Sequence, residues 1–180
     1  MNSARVLADA LTLTRALSGA VLVWLGWALG AAALPWALAT LVFAWTTDIL
    51  DGALARRDPN PRQTWVGEQD LLFDVWVAVG VSGYLAFAGY ISPLAAGAYL
   101  ICAGLVAAYL RSKAFAKVVQ AVPYAMLVLI GLLDVPLFGL LALAWIVLAI
   151  TITWPRFPRE QVPEFLAEVR DLLRNQRRTP

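Results

Sequence analysis

Apolar residues run along this chain in long unbroken stretches, and polar residues gather in the gaps between them. Six stretches, at 16–34, 35–55, 70–90, 94–111, 118–133 and 136–154, are each close to the ~20 residues that a helix needs to cross a bilayer. Ahead of the first, Val6, Leu7, Ala10 and Leu11 recur at helical spacing beside Asp9 and Arg15, which predicts an amphipathic juxtamembrane helix over 1–15. The small residues Ala31, Ala32 and Ala33 could mark a cleaved signal, but the charges and periodicity before residue 16 favour a retained helix. Behind the last stretch, Phe165, Leu166, Val169, Leu172 and Leu173 share one helical face. Glu164 stands at its start and Arg174, Arg177 and Arg178 at its end, which predicts a second interfacial helix within a cytoplasmic tail, 155–180. The pattern predicts an all-α polytopic membrane protein. It has one domain over 1–180, with six transmembrane helices in 16–154 and amphipathic helices at both ends.

Composition agrees: 61% of residues are hydrophobic and the mean hydropathy is +0.72. A net charge of +2 is too small to argue for nucleic acid, and Cys102 has no second cysteine to pair with. On a six-span zigzag all fourteen Lys and Arg residues fall on one side: Arg5, Arg15, the loop 56–62, residues 111–117, and Arg156 onward. The opposite turns hold only Asp134. By the positive-inside rule the basic side is cytoplasmic, so both termini face the cytoplasm across the inner or plasma membrane, with Trp36 and Trp154 as interface anchors.

Against this background four carboxylates need a reason. Each costs about 2.5–3.5 kcal/mol at the centre of a spanning helix. Asp48 and Asp51 are three apart and Asp70 and Asp74 four apart, so each pair shares a helical face at ~5–6 Å. At that separation two carboxylates repel by ~3 kcal/mol at an effective dielectric of about 20, so they either hold protons or gather cations. Oxygen donors with no His and no second Cys point to hard divalent ions, Mg²⁺ or Mn²⁺. Gly52, which costs about 1 kcal/mol inside a helix relative to Ala, leaves bare backbone for a ligand to approach. Arg56 offers a fork of donors suited to carboxylate or phosphate.

The residues Asp48, Asp51, Gly52, Ala55, Arg56, Asp70 and Asp74 read D-x2-D-G-x2-A-R followed by D-x3-D. In this the chain resembles the CDP-alcohol phosphotransferases, integral membrane enzymes whose signature is D-x2-D-G-x2-A-R-x8-G-x3-D-x3-D. One extra residue lies between Arg56 and Asp70, so Val66 stands at the signature glycine and Gly67 follows it. The resemblance implies two divalent ions on Asp48, Asp51, Asp70 and Asp74. It also implies a CDP pocket lined by Gly52, Ala55, Arg56 and Gly67, with Asp74 as the base that deprotonates the acceptor alcohol while CMP leaves. It implies a homodimer too.

Asp9, Thr12 and Arg15 are similar to the N-x2-T-x2-R stretch of bacterial members, with Asp in place of Asn. Tyr109-Leu110-Arg111-Ser112-Lys113-Ala114 is similar to the basic stretch of members that use a phosphorylated polyol. Arg15, Arg111, Lys113 and Lys117 are therefore the candidate acceptor contacts. The donor expected from the resemblance is CDP-diacylglycerol in the bilayer, and the acceptor a small polar alcohol such as glycerol 3-phosphate or a polyol phosphate. Three other classes compete. A prenyl transferase has no place for Gly52-x2-Ala55-Arg56, a divalent-cation channel or carrier needs acidic residues across the bilayer, and a catalytically silent scaffold has no need of four retained carboxylates.

Overall fold

The computed structural model describes residues 3–55, 70–110 and 113–154 with Pro163, Ala167 and Arg170, without the side chains of 3–6, 8, 9, 55, 70, 71, 113 and 114. Among the described residues every regular element is helical: α1 (Ser3–Leu29), a 3-10 turn (Gly30–Ala33), α2 (Leu34–Ala55), α3 (Asp70–Phe87), α4 (Pro93–Leu110), α5 (Lys113–Asp134) and α6 (Pro136–Thr153). Four apolar helical runs have the length and composition to cross a membrane: Ala10–Leu54, Pro93–Leu110, Phe115–Asp134 and Pro136–Thr153. Leu72–Phe87 is a shorter apolar run. The expected all-α class is therefore seen, with runs compatible with a membrane protein. Residues 56–69, expected to hold a loop, and the amphipathic helix expected in the tail fall outside the described residues, apart from the three isolated tail positions.

The run Ala10–Leu54 is 45 residues long, which as a straight helix would measure roughly 70 Å, over twice the hydrocarbon core of a bilayer. It folds back instead. Gly30 takes φ +61°, a left-handed conformation that glycine adopts without steric penalty, and α2 returns along α1. The helix α1 is continuous from Ser3 to Leu29, through the expected division at residue 16. No Gly or Pro interrupts it before Gly19, and Arg15 is directed into the bundle, so nothing forces a bend at the interface.

At its other long side α1 meets α3 with almost no side chain between them. A Cβ on Gly80 would lie 2.5 Å from the Gly19 carbonyl oxygen, and one on Gly26 would lie 2.8 Å from Tyr84 Cα. Small residues that let backbones touch are how helices associate where lipid is as apolar as the side chains. Leu22, Leu25, Leu38, Leu41, Val81 and Leu85 fill the core around this crossing.

The helix α3 stops three residues before the expected end at 90. Gly89, at φ +83°, donates to the Ala86 carbonyl at 3.2 Å, and the Tyr90 amide donates to the Leu85 carbonyl at 2.9 Å, a Schellman closure that consumes the last carbonyls.

On the other side of the bundle α5 carries Pro123 in its interior, which leaves the Val119 carbonyl without its helical donor. The Tyr99 hydroxyl of α4 donates to that carbonyl at 2.5 Å. A further close approach joins α5 and α6, where Gly139 lies against the backbone of Gly131 and Leu132. The helix α4 is otherwise peripheral, with Ala96 its one buried residue.

Candidate functional site

Thr12 and Arg15 lie three apart on α1 and face α2, where Asp48 and Asp51 repeat the same spacing. The Arg15 side chain is 1% exposed, so its charge must be met by partners inside the protein. Its Nη2 donates to Asp51 Oδ2 at 2.7 Å, and its Nη1 donates to both Asp48 Oδ1 and Asp74 Oδ1, the latter at 2.5 Å. Thr12 Oγ1 donates to the same Asp51 oxygen at 3.0 Å. One guanidinium thus gathers carboxylates from two helices whose sequence positions differ by as much as 59 residues from its own. Asp51 is buried, while Asp48 and Asp74 keep part of their carboxylate surface open.

That open surface lines a cavity of about 260 Å³ walled by Arg15, Asp48, Asp74, Lys117, Gln120 and Tyr124. On α5 the spacing of 117, 120, 121 and 124 sets these residues on one face toward the carboxylates. The Tyr124 hydroxyl donates to the Asp74 backbone carbonyl at 3.1 Å, which ties α5 to the turn of α3 that carries the carboxylate. Trp45, one turn before Asp48, stacks on Trp145 of α6 with ring centroids 5.7 Å apart and meets Tyr124 edge to face at the same separation.

Trp45, Asp48, Ala121 and Tyr124 belong at once to the polar cavity and to a second one. This is an apolar groove of about 610 Å³ between α2, α5 and α6, continued by residues such as Val128, Leu132 and Ile146. A charged pocket and an apolar groove therefore lie side by side with four residues in common.

The structure brings Asp48, Asp51 and Asp74 together. Asp70 is the first residue of α3, one turn before Asp74, and its side chain is outside the described set. Gly52 is half-buried next to Asp51, Ala55 ends α2, and Arg56, Gly67 and Arg111 lie outside the described residues. Arg15 sits on the carboxylates themselves and Lys117 on the cavity wall; Lys113 opens α5, its side chain not described. Sequence reasoning passed over Trp45, Gln120 and Tyr124. Their only signal was the shared α5 face and the turn-spaced Trp45–Asp48 pair, neither of which belongs to a chemical motif.

Among the described residues no three Asp, Glu, His or Cys groups are arranged to hold a metal ion; the three carboxylates close on Arg15 instead. Their donor chemistry still fits a hard divalent cation, because every donor is a carboxylate oxygen and a positive group already stands where they meet. No family model, curated protein or solved structure matches the chain.

Proposed function

We propose that this protein is a membrane-embedded phosphatidyltransferase, moving a phosphatidyl group from CDP-diacylglycerol to an alcohol that itself carries phosphate. The observation that carries this reading is adjacency: a carboxylate-walled polar cavity and an apolar groove lie side by side and share Trp45, Asp48, Ala121 and Tyr124 as lining. A substrate with a charged head and lipid tails needs both. The groove would take acyl chains while the diphosphate stays at the carboxylates, a division that a wholly soluble substrate would not require.

In this reading the acceptor hydroxyl is held near Asp74 and gives it a proton as the oxygen attacks the phosphorus on the lipid side. The new bond is acceptor oxygen to phosphorus. The bond that breaks is the diphosphate linkage, whose electron pair leaves with CMP. Arg15 holds Asp48, Asp51 and Asp74 in register, and Tyr124 steadies the backbone at Asp74. Asp48, Asp51, Asp70 and Asp74 would hold two Mg²⁺ or Mn²⁺ ions, which when bound neutralise the diphosphate and the charge that develops on it.

The same reading takes α1 to α6 as six membrane spans with the carboxylates at the cytoplasmic end, and takes the protein as a homodimer. A cation channel or carrier is disfavoured, because buried Arg15 fixes a positive charge where a selectivity site would need an open carboxylate ring.

The test is purified protein in detergent or nanodiscs with Mg²⁺, CDP-diacylglycerol and a panel of alcohols, CMP release being measured. Release that depends on a phosphorylated alcohol is expected. No release with any alcohol, from folded protein, would remove the proposal.

A further inference from the structure

One buried polar group has no role in the account above. Gln120 is 7% exposed, its Nε2 has no hydrogen-bond partner, and it lines the cavity that Asp48 and Asp74 wall from the other side. A buried donor left unmade is destabilising, by about 1–3 kcal/mol, which makes it a group prepared for a ligand rather than for the fold. One turn earlier on the same face stands Lys117, exposed at the cavity mouth. The two offer hydrogen-bond donors to a space whose opposite wall is acidic.

We propose that Gln120 adds a contact for the acceptor's phosphate beside the Lys117 already expected there, its amide nitrogen donating to a phosphate oxygen; this rests on the transfer reaction proposed above. The location selects the acceptor over the donor. In the proposed reaction the donor's lipid arm takes the apolar groove beside Trp45 and Tyr124 and its diphosphate the carboxylates, so the Lys117–Gln120 face of α5 remains for the second substrate. A cavity of about 260 Å³ lies below the ~300–1,000 Å³ of drug-sized sites and suits a small polar molecule. An alcohol seated with its phosphate on α5 turns its hydroxyl toward Asp74 across the same space. A neutral amide also suits the buried position better than a second cation, because burying another charge costs several kcal/mol unless it stays paired. Lys117 supplies the charge at the open end, where water still solvates it.

The experiment measures binding and turnover separately. Purified protein is titrated with glycerol 3-phosphate, inorganic phosphate and unphosphorylated glycerol, following thermal unfolding and calorimetry, for wild type, Gln120→Leu and Gln120→Glu. Wild type is expected to bind the two phosphates and not glycerol. Gln120→Leu should weaken glycerol 3-phosphate roughly 10- to 100-fold, the value of one hydrogen bond to a charged group. The unliganded midpoint should stay or rise, since no protein partner is lost. Gln120→Glu, which keeps the shape and adds a negative charge, should weaken binding at least as much.

In the transfer assay both changes should raise the acceptor KM and leave the CDP-diacylglycerol KM in place. Unchanged phosphate affinity in Gln120→Leu, a lowered unliganded midpoint, an effect on the donor KM alone, or failure of both variants to fold would each overturn the subsite. Phosphate binding that responds to Gln120 without any CMP release would overturn the transferase and leave the subsite standing. CMP release that ignores Gln120 would do the reverse.

Discussion

The helices packed about α1 and the helix α4 are built from similarly apolar sequence and have opposite fates. The apolar windows of Ala10–Leu54 and Pro93–Leu110 share a mean hydropathy of 1.8, yet 39% of the first is buried inside the protein against 6% of the second. Hydropathy reports what a helix tolerates around it; packing depends on where its small residues fall. Gly19, Gly26 and Gly80 meet backbone across the α1–α3 crossing, while a Cβ on Gly97 or Gly104 of α4 would meet open space. The carboxylate site lies where α2 joins this packed pair, with Arg15 of α1 between Asp48 and Asp51 of α2 and Asp74 of α3. The lesson is that in this chain close packing and the carboxylate cluster fall together, and α4 is attached at the margin.

The sharpest contrast should come from one substitution made in both places. Gly80→Leu drives a side chain into the Gly19 backbone and is expected to cost more than ~4 kcal/mol, abolishing folded protein in detergent size-exclusion and thermal scans. Gly104→Leu should leave both unchanged. Equal damage at the two positions would mean that α4 is packed as tightly as α3.

Next in size is Arg15. Removing it strands carboxylates that it holds inside the bundle, so Arg15→Gln should lower unfolding stability by about 3–5 kcal/mol. Arg15→Lys should recover only part of this, because one ammonium cannot present two separate nitrogens to three acceptors. A destabilisation within ~0.5 kcal/mol would show that the ion-pair cluster does not organise the packed half.

The chemistry should follow. Asp74→Asn is expected to cut CMP release by ~100-fold or more while CDP-diacylglycerol binding persists, since positioned proton transfer is worth roughly 10²–10⁴. Asp48→Asn, Asp51→Asn and excess EDTA should each abolish release. Full activity in EDTA would refute the metal assignment, and loss of donor binding in Asp74→Asn would make that residue a ligand first.

How much of this was legible in the sequence divides along the same line. Helical spacing told which carboxylates share a face, because that follows from 3.6 residues per turn. It could not tell that Thr12 and Arg15 would close on Asp51, which depends on α2 turning back at Gly30 and on α1 lying between α2 and α3. The uninterrupted α1 was also hidden, since Asp9 and Arg15 look like interface charges until Arg15 is seen to have internal partners. Gln120 and Tyr124 are ordinary residues in an apolar helix; only the facing carboxylates give them meaning. The end of α3 was readable in hindsight from Gly89, but an apolar run alone does not announce a Schellman closure.

The smallest expected effect probes the margin. Tyr99→Phe removes the donor that meets the carbonyl freed by Pro123, at a cost of about 1 kcal/mol. Faster amide exchange should follow in α4 and around Val119, with the α1–α3 pair undisturbed. Exchange that quickens equally in α1 would join the two regions into one cooperative unit.

The reversal at Gly30 also bears on how such a chain enters a bilayer during synthesis. No charged residue lies between Arg15 and Asp48, and the hairpin brings both to the same end. In the six-span reading proposed above, a hairpin inserted as one unit would pass only its apolar tip through the hydrocarbon. Arg15, Asp48 and Asp51 would stay on the side of entry, so the charges that meet in the site would never have to be carried across the membrane.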